Sequence, residues 1–126
     1  MGTGFKGGAA SYHSISQNVG ALKETYSFRD GYFGIKGQGR SFVRNIKSDD
    51  PVKTAKDFYD KAGYGGIEKS MSNGKGMTTK MADGTILSYR KVSTSDGSPA
   101  VEINIHNSRD PAGLKYQKIH FVRIGE

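Results

Sequence analysis

The chain contains no cysteine. That absence excludes a disulfide framework, a thiolate zinc site and a cysteine nucleophile together. No run approaches the ~18 consecutive apolar residues that a membrane-crossing helix needs, and the opening residues lack the hydrophobic core of a secretion signal. Acid is scarce as well. Twelve Asp+Glu face 19 Lys+Arg in 126 residues, giving a net charge of +7 and a pI near 9.6. Such a basic excess on a small protein points to a polyanionic partner, most often nucleic acid. The length suits one domain with one modest core and leaves no room for separate cofactor and substrate domains.

Glycine, at 18 residues, is about twice its ordinary usage and unevenly spread. Residues 1–47 hold nine glycines and seven Lys/Arg against only two acids, Glu24 and Asp30. The stretch "GTGFKGGAAS" reads as a flexible linker. This divides the chain into a basic, glycine-rich junction over 1–47, with a short helix in it, and a functional domain over 48–126. Within the junction Ile15, Val19, Leu22 and Tyr26 recur at helical spacing, and Ser14 with Gln17 matches a capping box. "RDGYFGIKGQGRSF" suits a loop or a ragged hairpin.

The clearest helix begins at Asp50-Pro51, a cap followed by a residue suited to the first turn. Val52, Ala55, Phe58 and Ala62 form its apolar stripe, and Gly63 suits a left-handed residue past its end. Lys53 with Asp57 and Lys56 with Asp60 are i,i+4 pairs on the solvated side. From Gly74 the period changes to two. "GMTTKM" and "TILSYRKV" flank the turn Ala82-Asp83-Gly84, and "AVEINIH" and "YQKIHFVRI" alternate again. The expected fold is α+β: one or two N-terminal helices packed on an antiparallel sheet of about four strands.

Alternation sorts the strand residues by face. Val101, Ile103 and Ile105 point one way and Glu102, Asn104 and His106 the other; Ile119 and Phe121 oppose Lys118 and His120, and Leu87 and Tyr89 oppose Ser88 and Arg90. With the apolar sets under the helices, Arg90, Glu102, Asn104, His106, Lys118 and His120 converge on the open face. That is the inventory for cleaving RNA without a metal: a base for the 2′-hydroxyl, an acid for the departing 5′-oxygen, and cations for the phosphate. His120 suits the acid, Glu102 or His106 the base, and Arg90 and Lys118 the phosphate clamp. Tyr116 or Tyr89 offers a ring for a base to stack on, and Ser93, Ser95 and Asp96 form a turn able to contact substrate. The blander alternative is an ordinary solvated face in which Glu102 and Lys118 are a cross-strand charge pair.

Other chemistries fit less well. The GxG pairs at Gly2/Gly4 and Gly37/Gly39 lack a strand–loop–helix setting, and there is no GxSxG elbow. His106 and His120 could share a metal with Asp96 or Glu102, at no recognised zinc spacing. A restriction-type metal site could draw on Asp83 and Glu102, but Asn104 stands where its lysine belongs.

The run "MADGTILSYRKVSTSDGSPAVEINIH", followed by "KYQKIHFV", resembles the C-terminal toxin domains of bacterial polymorphic toxins of the LXG, contact-dependent-inhibition and Rhs types. The likeness covers roughly residues 50–124 and is most specific at "KIHFV". It implies a nuclease of the barnase/EndoU/colicin/RelE-like kind, with Arg90, the Ser93–Asp96 turn, Lys118 and His120 as functional positions. It also implies secretion within a larger toxin, action in the cytoplasm of a target bacterium, and neutralisation of a free monomer by a cognate immunity protein, acidic to match this charge. Three functions are therefore weighed. The first is a cofactor-free ribonuclease, RNA being favoured over DNA; the second a DNase requiring a divalent metal; the third a non-catalytic nucleic-acid-binding module.

Overall fold

Asp50 accepts the Lys53 backbone N–H at 3.3 Å, and from it α2 runs over Pro51–Ala62. The computed structural model describes residues 12–93 and 97–125. Helix α1, Ile15–Thr25, opens where the Gln17 side chain accepts the Ser14 backbone N–H at 2.8 Å. The linker reading of residues 2–11 lies outside the described residues. Strands follow at β1 Phe28–Arg29, β2 Tyr32–Phe33, β3 Ile35–Lys36, β4 Val43–Ser48, β5 Ile67–Ser70, β6 Gly76–Lys80, β7 Ile86–Arg90, β8 Ala100–Asn104 and β9 Gln117–Arg123. The architecture is α+β, with both helices on one face of a large, mostly antiparallel sheet.

The sheet has seven strands rather than four, in the order β3-β4-β9-β8-β7-β6-β5. The expected meander β6–β9 is present in register. Three further strands extend it. Strand β4 lies parallel to β9, pairing Val43 with Lys118 and Asn45 with His120. The limit drawn between residues 47 and 48 therefore falls inside a strand. Residues 12–47 belong to the folded body, since Ile15, Val19, Leu22 and Phe33 are all core residues. Part of the glycine-rich stretch is a tight hairpin, β1 to β2, turned by Asp30 at φ 56° and Gly31 at φ 89°. At Gly34, φ is +70° and a Cβ would stand 2.3 Å from the Asn45 carbonyl oxygen, so only glycine fits there.

The core gathers around Phe58 of α2, whose ring meets Tyr26, Phe33 and Phe121 at centroid distances of 5.0, 5.2 and 5.7 Å. Leu87, Val101, Ile103, Ile119 and Tyr89 add to the sheet's contribution, so the Tyr89 ring lies in the core against Tyr59 and not on the open face. Two details of α2 differ from the sequence reading. Val52 is 37% exposed, and Tyr59 is buried in the stripe, its hydroxyl 2.5 Å from Thr79 Oγ1. Gly63 ends the helix at φ −94°, with Gly65 taking the left-handed conformation two residues later. The wet-side pairs form as expected, Lys53–Asp57 at 3.0 Å and Lys56–Asp60 at 2.8 Å. Because both helices take the same face, the other face of the sheet is left to its polar side chains.

Candidate active site

Register decides which polar residues meet. Glu102 of β8 pairs with Ser88 of β7 on one side and with Lys118 of β9 on the other. One step along, Ala100 pairs with Arg90 and with His120. Directly paired residues share a face with Cβ atoms only about 5 Å apart. The result is a cleft of about 210 Å3 lined by Ser88, Arg90, Ala100, Glu102, Tyr116 and Lys118. Four of the residues singled out from sequence, Arg90, Glu102, Tyr116 and Lys118, thus stand around one recess. The small Ala100 leaves the space between them open.

Tyr116 organises the carboxylate. Its hydroxyl donates a hydrogen bond to Glu102 Oε2. Burial, and then the hydrogen bond and charge of Glu102, push the phenol up to about 12. It therefore remains a proton-bearing donor at ordinary pH and holds Glu102 in one orientation. The ring is fixed in turn by Phe42, edge-on at 5.1 Å, and by the His106 imidazole, stacked at 5.2 Å and 17°. Although Glu102 and Lys118 are register partners, no ion pair joins them; among the described residues neither Arg90 nor Lys118 has a carboxylate within 4.0 Å. Two permanent cations beside one tethered carboxylate leave net positive charge in the cleft, the condition for holding a phosphate.

The remaining nominated residues are placed differently. His106 lies past the end of β8, exposed and stacked on the Tyr116 ring. Asn104 does not line the cleft; its Oδ1 accepts the His106 backbone N–H at 3.0 Å and shapes the turn that presents the imidazole. His120 is not the exposed histidine that alternation suggests. It is 5% exposed, lies between Asn45 of β4 and Ala100 of β8, and its Nδ1 is 2.9 Å from Ser98 Oγ. The unforeseen neighbour β4 covers what would have been an edge. Ser93 is likewise buried, its backbone N–H bonded to the Ser98 carbonyl at 2.9 Å. Ser95 and Asp96 lie outside the described residues.

Asp83 does not join Glu102 in the cleft. Its Oδ1 accepts the Ile15 backbone N–H at 3.0 Å, while Thr85 and Ser108 donate to Oδ2, Thr85 at 2.6 Å. It anchors the start of α1. His13 is structural too, its Nδ1 3.0 Å from Asn18 Oδ1 and its ring between Tyr12 and Tyr64. Among the described residues no group of three or more His, Asp or Glu side chains is clustered as metal ligands would be. Sequence reasoning passed over Phe42 and Ala100. Phe42 gave no signal, and Ala100 was hidden by its small apolar side chain, although it shares the parity of Glu102. No family model, curated protein or solved structure matches the chain.

Proposed function

We propose that this chain is a nuclease that cleaves RNA by general acid–base catalysis, and that it is the toxin domain of a bacterial polymorphic toxin. The observation that carries the reading is the tethered Glu102 facing Arg90 and Lys118 across an open, positively charged cleft. Glu102 takes the proton of the ribose 2′-hydroxyl, whose oxygen attacks the neighbouring phosphorus. The O2′–P bond forms as the P–O5′ bond breaks, and an imidazolium gives its proton to the departing 5′-oxygen. Arg90 and Lys118 stabilise the charge that builds on the non-bridging oxygens, where Arg's planar fork reaches two at once.

Exposure shifts the acid from the residue first nominated. His106 is exposed against the cleft's Tyr116 wall, whereas His120, beside Ala100, is buried with its Nδ1 at Ser98 Oγ. His106 is the proton donor, and His120 braces the strand that presents Lys118. The test incubates the protein with total RNA or plasmid DNA, in EDTA or in Mg2+. RNA cleaved in EDTA is expected; DNA cleaved only with Mg2+ would replace this reading with the metal-dependent one. Binding without cleavage of either would leave a binding module. In the same assay Glu102→Gln and His106→Ala should each lower turnover by ~10²–10⁴-fold at unchanged melting temperature. His120→Ala should lower the melting temperature instead. If His120→Ala melts like the wild type and abolishes cleavage, the two histidines exchange roles.

A further inference from the structure

The cleft is not the only basic recess. On the other side of the sheet's rim a wider groove, about 630 Å3, is lined by Arg29, Asp30, Tyr32, Ser41, Arg44 and Lys115 among others. Two cations converge on one ring there: the Arg44 guanidinium carbon lies 4.7 Å, and Lys115 Nζ 5.3 Å, from the Tyr32 centroid. Arg44 is further fixed by donating from Nε to the Phe33 carbonyl at 3.2 Å and from Nη2 to the Gly34 carbonyl at 3.0 Å. Asp30 is the one carboxylate in the lining, 3.8 Å from Arg29. The ring's negative face offsets the repulsion between the two cations and leaves their charge available to an anion.

The two recesses meet at one edge. Strands β4 and β9 run parallel, so their starts lie at the same end of the sheet. Just ahead of these strands, neighbouring residues divide between the two recesses. Lys115 and Ser41 line the groove, while the next residues, Tyr116 and Phe42, pack on each other, and Tyr116 lines the cleft. We infer that the Tyr32 groove is a second phosphate subsite for the same single-stranded nucleic acid, which passes over the Phe42–Tyr116 rim from one recess to the other. This deepens the nuclease reading and rests on it for the strand's path. A dinucleotide fills the cleft alone; a longer strand engages both recesses.

The test measures binding of a 2′-O-methyl RNA of about 12 nucleotides, within the usual span of single-strand sites, which lacks the hydroxyl needed for cleavage. Lys115→Gln and Arg29→Gln, both solvent-exposed, are compared with the wild type after calorimetry shows equal melting. Each should weaken binding roughly 3–10-fold and lower the slope of log affinity against log salt by about 0.7. Cleavage of unmodified RNA of that length should show a raised KM at constant kcat, and cleavage of a dinucleotide no change. Wild-type affinity and salt slope in both variants would overturn the subsite while leaving the nuclease reading intact. Lys115-dependent binding with no cleavage of any RNA would keep the subsite and remove the nuclease reading. Loss of affinity for an acidic protein inhibitor, with strand binding unchanged, would make the groove a protein contact and end the inference.

Discussion

Asp83 shows how one buried carboxylate can be read wrongly for chemistry. It is 3% exposed, and burial alone would raise its pKa, yet donors from Ser108, Thr85 and the Ile15 backbone together hold it below the ordinary value of 3.8. Its charge also faces the positive end of the α1 dipole. A carboxyl group depressed in the folded state stabilises above its unfolded pKa and loses that contribution as pH falls through the folded one. Asp83→Asn should therefore cost about 1.5–3 kcal/mol at neutral pH, the worth of hydrogen bonds to a charged group. Below about pH 4 the wild type should converge on the variant, and thermal melting from pH 7 to pH 2 checks both statements. A constant gap down to pH 2 would show that the lost contacts are not electrostatic. Tyr116 makes the complementary case at the cleft. Tyr116→Phe keeps the ring between Phe42 and His106 but releases Glu102. On the proposed mechanism turnover should fall about tenfold or more as Glu102 loses its orientation, and dinucleotide kinetics against melting temperature separate that from a packing defect.

At the scale of elements, what local pattern encodes was legible and what distance encodes was not. Helices α1 and α2 and the meander β6–β9 carry clean periodicity and turn chemistry, so their residues announced both element and face. Strand β5 has none: all four residues are exposed at the sheet edge, with no apolar side to detect. Strand β4 hid because Arg44 occupies its inner side, where it reaches the carbonyls of Phe33 and Gly34 instead of the core. Its parallel partner lies some 75 residues away, which no local spacing reveals. The site followed suit. Glu102, Arg90 and Lys118 were placed by meander register, whereas the burial of His120 depended on β4. The join between the β1–β2 hairpin and β9 rests on Gln117, fully buried. Its Oε1 accepts the Phe33 N–H at 2.8 Å, and its Nε2 donates to the Gly31 and Lys115 carbonyls at 2.9 and 2.7 Å. Gln117→Leu would strand three backbone groups and should cost about 3–5 kcal/mol in urea unfolding. A wild-type midpoint would mean that the hairpin is held by Phe33 packing alone.

For the whole molecule, charge and ionisation set the response to conditions. Four phenols, Tyr26, Tyr59, Tyr89 and Tyr116, are raised above their ordinary value of 10, burial being the largest cause in each. Below pH 10 they are neutral in folded and unfolded chains alike. Above it the unfolded chain sheds phenolic protons that the native state retains, so stability should decline between about pH 10 and 12. Melting temperature and tyrosinate absorbance over that range should change together; ionisation of these phenols without loss of stability would contradict the burial assignment. The net charge of +7 makes a second expectation for the proposed toxin. Its immunity protein should be acidic and should associate at a rate that drops steeply with added salt. Unimpaired growth of bacteria expressing the chain without an inhibitor would remove both the partner and the toxin assignment.

Strand β9 occupies the interior of the sheet, between β4 and β8, yet follows the other ten elements of the described residues in sequence. It also brings Lys118 to the cleft, just after Tyr116. Synthesis is vectorial, so a nascent chain that has emerged only as far as β8 has an unjoined sheet and lacks both the Tyr116 tether of Glu102 and the Lys118 wall of the cleft. For the proposed nuclease, the producing cell is thereby spared a partly folded catalyst on its ribosomes. On the proposed function the site is complete only once β9 has joined the sheet, and an inhibitor need recognise only the folded domain.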